Sequence, residues 1–366
     1  MRSLLRGAVG PAAAGFLALL VAACGGSANG TGGGSTPTPT DVGSGNLNGA
    51  GSTFVQPFFT KAFYQYNQDH SGVTINYQGV GSGAGIQQFT AGTVDFGASD
   101  VPMKASEVTA AGGASTLVQF PVALGAVAIA YNLPGVQKLQ LDGPTLADIF
   151  LGKVTKWNDP EIAALNSGAN LPSTAITVVH RSDSSGTSYI FTNYLSVVSN
   201  AWGNGPGTGK AVSWPAGVGA KGTAGVAGQI KSTAGSIGYV ELAYVVQTGM
   251  TQAWLKNHDG DYLQASVAGA TAAAGQKGSL SADNFAIVNE PGAKSYPIAG
   301  YTWGFVRTSI SDANKAKALV YLFQWVVGPG QSQGGSLQYA PLPANAQTYA
   351  ISQLKLIKTG GAAVLS

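Results

Sequence analysis

Short β-type runs alternate with helical stretches along most of this 366-residue chain, and that alternation predicts an α/β fold. Two further observations agree with it. The runs are punctuated by many of the 53 glycines, as tight strand–helix connections require. Charged residues make up 10% and hydrophobic ones 45%, which supplies enough apolar surface for two domains with sizeable cores.

Taken in order, the chain opens with Arg2 and Arg6 followed by an apolar, small-residue stretch from Ala8 to Ala23, the pattern of a secretory signal over 1–23. It ends in Leu20-Val21-Ala22-Ala23-Cys24, which resembles the bacterial lipoprotein cleavage box. Cys24 is the only cysteine and falls where that box needs it, so lipidation at Cys24 is expected and an intrachain disulfide is excluded. A diacylated cysteine supplies the two acyl chains that stable membrane anchoring takes. Residues 24–46 are rich in Gly, Ser, Thr and Pro and read as a flexible tether with a root-mean-square span of ~25 Å. No later segment is apolar for long enough to span a membrane.

From Leu47 the pattern is globular. Val73 to Gln78 alternates apolar and polar residues and predicts a strand; Gly85 to Ala91 predicts a short helix. Val122 to Tyr131 is a buried strand candidate and Thr145 to Leu151 a helix. Asn158-Asp159-Pro160-Glu161 starts another helix, with a capping side chain and proline in the first turn. Ile176 to Val179 predicts a strand, Tyr189 to Val198 a helix, and Ala313 to Val327 a helix of strong periodicity.

Three segments place small hydroxyl residues beside glycines where a strand gives way to a helix: Gly49 to Phe54, Gly79 to Gly85, and Asp183 to Ser188. Free backbone N–H groups of a first helical turn, helped by the helix dipole, favour an anion there. Arg181 follows the strand at Ile176 to Val179, so its guanidinium should emerge at the carboxyl edge of a sheet, where open α/β sheets bind ligands. It can grip an oxyanion with two parallel hydrogen bonds, with Asp183 holding it flat. Asp100 ends the small apolar run Val94 to Ser99, where a carboxylate is at least partly buried. Beside an anion, a carboxylate makes sense only if that anion carries a proton. Phosphate does at neutral pH and sulfate does not. One obligatory buried hydrogen bond discriminates by ~10⁴ or more against a ligand lacking it.

The strings GAGSTF, YQGVGSGAGIQQFTAGTVDFGASDVPM, LADIFLGKVTKWNDPEIAALN, VVHRSDSSGTSYIFTNYL, SIGYVELAY and YAPLP, spread from about Leu47 to Leu342, carry a specific resemblance. In order and spacing the chain resembles the periplasmic phosphate-binding proteins of the high-affinity phosphate ABC transporter. The resemblance implies a two-lobed periplasmic-binding-protein (type II) fold, with a ligand cleft and two chain crossovers. The lobes would be 47–120, 121–297 and a return over 298–366. It implies phosphate contacts from Thr53 and Phe54 through a first helical turn and from Ser82 through hydroxyl and backbone. Asp100 would accept the proton of phosphate, Arg181 would pair with the anion, and Asp183 would orient Arg181. Ser185, Gly186 and Thr187 would form a helix N-terminal cradle. Ser184 stands where many members have Gly, so that turn must accommodate a Cβ. The implied role is capture of inorganic phosphate outside the cytoplasmic membrane, as a monomer, and its delivery to the permease subunits of the transporter. No enzyme activity, cofactor or metal is implied.

Other function classes fit less well. Net charge is +3 and falls to about +1 without Arg2 and Arg6, with no long basic run, which argues against nucleic acid. Gly79 to Ala84 fits a loose G-x-G-x-x-A pattern, but the one or two turns before Thr93 are too short for the crossover helix of a dinucleotide site. His70, His180 and His258 show no metal-ligand or triad spacing, against a hydrolase. Trp157, Trp214 and Trp303 sit among apolar and turn residues and suit core packing as well as a sugar cleft.

Overall fold

The computed structural model describes residues 40–365. The signal segment, Cys24 and most of the expected tether lie outside the described residues. Eight strands make the main path of a large sheet: β1 (Gly45–Gly51), β2 (Val73–Gly79), β3 (Phe96–Ser99), β4 (Leu117–Asn132), β5 (Thr177–Arg181), β6 (Val218–Ala220), β7 (Ser236–Glu241) and β8 (Ile298–Arg307). Their spatial order is β2-β1-β3-β8-β4-β7-β5-β6. β2, β1 and β3 are parallel, and so are β7, β5 and β6. The antiparallel pair β8 and β4 joins these two trios.

β4 makes that junction possible. Its 16 residues, LVQFPVALGAVAIAYN, are almost all buried, as expected for a strand covered on both faces. Leu117 to Ala126 pairs with β8, and Val127 to Asn132 pairs with β7. One strand therefore serves both halves of the sheet. The junctions expected at 120/121 and 297/298 fall inside β4 and immediately before β8. β1 begins at Gly45, two residues ahead of Leu47, because Gly45 already pairs with Val73.

Helices cover the sheet. α1 (Gln56–Asp69) buries Phe58, Phe59 and Phe63. The Phe59 ring stacks on Phe63 and meets Phe323 of α7 (Ala313–Val327) edge to face. α2 (Ser82–Thr90) starts three residues before the expected helix at Gly85. It lies directly on a strand: a Cβ on Gly85 would sit 2.3 Å from the Cα of Gly51 in β1. Only glycine allows that approach, and the approach puts the first turn of α2 at the sheet edge. α3 (Ala105–Ala110) follows β3. In the other half, α4 (Gly186–Val198), α5 (Gly222–Ser232) and α6 (Leu242–Thr248) follow β5, β6 and β7. Phe150, Phe191, Trp214 and Tyr239 pack together under α4. Among the described residues no helix is long and apolar enough to cross a membrane.

Candidate anion-binding cleft

Each parallel strand delivers a polar residue at its carboxyl end. β1 runs into Ser52, Thr53 and Phe54; β2 leads through Gly81 to Ser82; β3 ends beside Asp100; β5 ends on Arg181; β6 leads to Gly222 and Thr223. The first turns of α1, α2, α4 and α5 begin at the same edge. Three of these were expected from the glycine-hydroxyl segments. The fourth, Lys221-Gly222-Thr223, carries the same signal of a hydroxyl beside a glycine after a strand, and sequence reasoning missed it.

Asp100 is 3% exposed. Its Oδ1 accepts from Ser52 Oγ at 2.5 Å and from Thr302 Oγ1 at 2.8 Å. Its Oδ2 receives one longer bond, from Thr187 Oγ1 at 3.4 Å. Burial raises the Asp100 pKa above the ordinary carboxylate value; the hydroxyls of Ser52 and Thr302, the charge of Arg181 and the Thr187 hydroxyl oppose that rise. Ser52 Oγ also accepts from the amides of Phe54 at 3.0 Å and Val55 at 3.4 Å, tying Asp100 to the start of α1. Asp100 does not cap the helix that follows Pro102: α3 begins at Ala105, with Lys104 at its N-cap position.

Arg181 is the last residue of β5 rather than the residue after the strand, and it is 3% exposed. Its Nε and Nη2 donate to Asp183 Oδ1 and Oδ2 at 2.7 and 2.5 Å, so the guanidinium is held by a two-point pair. Burial alone raises Asp183, but the hydrogen bonds and charge of Arg181, together with the Gly222 amide, outweigh it and leave Asp183 below the usual range. The free side of the guanidinium faces hydroxyls, with Nη1 3.4 Å from Thr223 Oγ1. Thr223 in turn hydrogen-bonds Thr53 Oγ1 through its own Oγ1 at 2.9 Å and its amide at 3.2 Å.

The two halves of the molecule meet through these groups. Ser82 Oγ accepts from the amides of Gly186 at 3.0 Å and Asp100 at 3.3 Å. Gly186 has no room for a side chain: a Cβ would lie 2.6 Å from the Asp100 backbone nitrogen. Ser185 caps α4 by accepting from the Ser188 amide. Ser184 accommodates its Cβ without a left-handed backbone, and its carbonyl accepts from the Gly83 amide at 3.0 Å. Thr53, Phe54, Ser82, Asp100, Arg181, Asp183, Ser185, Gly186 and Thr187 thus converge on one cleft. Ser52, Thr302 and Thr223 join them unannounced. Ser52 lies inside the Gly49 to Phe54 segment, whereas Thr302 lies 202 residues from Asp100 in an apolar strand with no local signal. His180 stacks on Trp214 at 4.8 Å between centroids, and burial pulls its pKa down. Trp157 and Trp303 are fully buried core residues.

A second acid stands at the same sheet edge. Glu241 ends β7, is 0% exposed, and caps α6 by accepting from the Ala243 amide at 2.7 Å. Among the described residues its Oε2 has no hydrogen-bond partner. Burial first, then the nearby Asp100 charge, pushes Glu241 well above the ordinary carboxylate range. The folded state therefore holds this proton more tightly than the unfolded chain, and stability falls as pH rises from the ordinary value toward the raised one. Glu241→Gln keeps the cap and cannot ionise. It is expected to raise Tm by about 2–5 °C at pH 8, with the gain shrinking toward pH 4. Thermal melts across that range check it, and a gain independent of pH would refute the account.

The family model of the PBP superfamily domain matches residues 35–324. A phosphate-binding protein PstS of Xylella fastidiosa (strain 9a5c) is 44% identical over 313 residues, covering 84% of this chain and 85% of the relative. The chain belongs to the PstS-type phosphate-binding proteins. PstS 3 of Mycobacterium tuberculosis (strain ATCC 25618 / H37Rv) is 39% identical over 353 residues, covering 92% of this chain and 94% of that one. Among solved structures, a high-affinity periplasmic phosphate-binding protein, PfluDING, bound with phosphate, superposes with a TM-score of 0.67. At 23% identity, over 83% of this chain and 92% of that one, it speaks to the fold. The periplasmic phosphate-binding proteins share this two-lobed α/β architecture, and the halves joined by β4 and β8 are its lobes.

Proposed function

We propose that this PstS-type protein binds inorganic phosphate between its lobes and delivers it to the permease subunits of an ABC importer outside the cytoplasmic membrane. One observation carries the reading. A buried carboxylate, Asp100, faces a cradle of helix N-termini and the Arg181 guanidinium, with Oδ2 holding, among the described residues, a single 3.4 Å bond. An anion that brings its own proton satisfies both sides of that cleft; a fully deprotonated one sets its charge against Asp100.

In this reading phosphate draws donors from Thr53, Phe54, Ser82, Arg181, Ser185, Gly186 and Thr187, and its hydroxyl donates to Asp100 Oδ2. Asp183 holds Arg181 flat. The first lobe comprises 47–120 and 298–366, the second 121–297, and closure brings Ser82 against Gly186. The sole cysteine, Cys24, lies in a lipoprotein box, which supports a lipid anchor; labelling of cells with radioactive palmitate tests that attachment. Metal or triad chemistry plays no part in this reading, and the protein acts by binding alone, as a monomer.

Calorimetry on residues 40–366 tests the ligand. Phosphate is expected to bind at or below micromolar concentration, and sulfate to bind at least ~10⁴-fold more weakly. Comparable binding of the two anions would overturn the reading.

A further inference from the structure

Among the described residues one ion pair joins the two lobes. Lys210 Nζ lies 2.6 and 2.8 Å from Glu107 Oε1 and Oε2, with the side chains 13% and 19% exposed. Four of the other ion pairs each stay within one lobe, and the fifth, Lys317–Asp41, ties the first lobe to the segment before β1. Both ends of this one are fastened to the binding machinery. The Lys210 carbonyl accepts from the amide of Ser185, the residue that caps α4, at 2.8 Å. Glu107 sits in α3, just beyond Asp100, and its Oε2 accepts from the Lys104 amide at 3.0 Å. Lys104, Glu107 and Lys210 line a groove of about 630 Å³, which Val101 and Ser184, the chain neighbours of Asp100 and Ser185, also line.

We infer that Lys210 and Glu107 form a latch across the cleft mouth that holds the lobes closed and slows release of phosphate. The inference rests on the phosphate-binding reading and goes beyond it, because neither residue belongs to the proposed anion cradle. The lobes are joined through β4 and β8, so opening about those strands separates groups on opposite lips. Residues 103 positions apart in the chain have no local geometry to keep them together once the lips part. The pair then stabilises the closed state alone. An interaction present in only one of two states shifts their equilibrium by its full worth. Phosphate enters the open form; with the ligand-free protein mainly open, association is little affected by the latch, and dissociation, which requires opening, bears its effect.

Stopped-flow fluorescence with phosphate, on wild type, Glu107→Gln, Lys210→Met and the double variant, tests it. The amide introduced by Glu107→Gln can still accept the hydrogen bond that caps α3, and Lys210→Met leaves in place the backbone carbonyl that holds Ser185. Each single variant is expected to release phosphate about 10-fold faster, with association changed less than about twofold. The double variant should be no faster than either single one, because the second substitution has no interaction left to remove. The reversed pair, Glu107→Lys with Lys210→Glu, should recover most of the wild-type rate. Release at the wild-type rate in either single variant refutes the latch, as does a multiplied effect of about 100-fold in the double variant. Wild-type protein that does not bind phosphate would overturn the functional reading itself, and the latch with it.

Discussion

Arg181→Lys is expected to weaken phosphate binding by about 10³-fold while the protein still folds. Arg181 is buried and committed on two atoms to Asp183, at 2.7 and 2.5 Å, which leaves its remaining N–H groups fixed in direction toward Thr223 and the cleft. Lysine keeps the charge but offers a single ammonium on a flexible stem. It can answer Asp183 or the anion, not both in a plane. If it turns to the anion, Asp183 loses the partner that holds its carboxyl ionised and keeps only the Gly222 amide at 3.0 Å. If it stays with Asp183, the anion loses its two-point contact. Either way a charge-assisted bond in a dry site is lost, and such truncations cost about 2–5 kcal/mol. Calorimetry with phosphate measures the loss, and thermal melts establish that the variant is folded. Affinity within threefold of wild type would show that the helix N-termini bind the anion without Arg181.

The parts of this molecule that were legible in the sequence are those whose reasons are local. The helix at Ala313–Val327 was readable to the residue, because its apolar period and its Asp312 cap both lie within one short stretch. Asp159 and Pro160 announced their helix in the same way, with Asp159 accepting from the Glu161 amide. The hydroxyl-glycine segments pointed to helix N-termini because that composition is what a first turn facing a ligand needs. Where the reason is distant, the sequence misleads or is silent. Ser82-Gly83-Ala84 reads as the loop before the helix expected at Gly85, yet it is helical, since Gly85 is required by contact with β1 rather than by a turn. Thr302 completes the shell of Asp100 from a strand that enters the sheet only after the whole second lobe is built. Nothing around Thr302 distinguishes it from a β-branched core residue. The order of the strands is likewise a property of the closed sheet, and β4 serving two lobes appears only as an apolar run.

Asp100→Asn is expected to collapse the preference for phosphate over sulfate by at least ~10²-fold, and to make the ligand-free protein more stable at neutral pH. Both effects come from the same carboxyl. Oδ1 is saturated by Ser52 and Thr302, bonds that an amide oxygen can also accept, so the shell survives the change. Oδ2, with one 3.4 Å bond from Thr187, is the atom that differs. In the proposed reading, the carboxylate oxygen accepts the proton of phosphate and repels sulfate. As an amide NH₂ it donates to either anion, and phosphate is left with a hydroxyl facing a donor. A lost buried hydrogen bond to a charged group costs about 1.5–3 kcal/mol, so phosphate affinity should drop roughly 10- to 100-fold while sulfate gains. The stability effect has a definite sign. Burial raises the Asp100 pKa from 3.8, so the folded state keeps a proton that the unfolded chain gives up, and stability declines as pH climbs from 3.8 through the raised value. Asparagine has no such decline. The variant's advantage should therefore be absent near pH 3.5, grow through that window and level off above it. Melts of ligand-free wild type and Asp100→Asn, with calorimetry for both anions at pH 7.5, measure the two effects together. A variant that gains stability yet still refuses sulfate would place the discrimination elsewhere, in the steric fit of the cradle around Gly186 rather than in a proton.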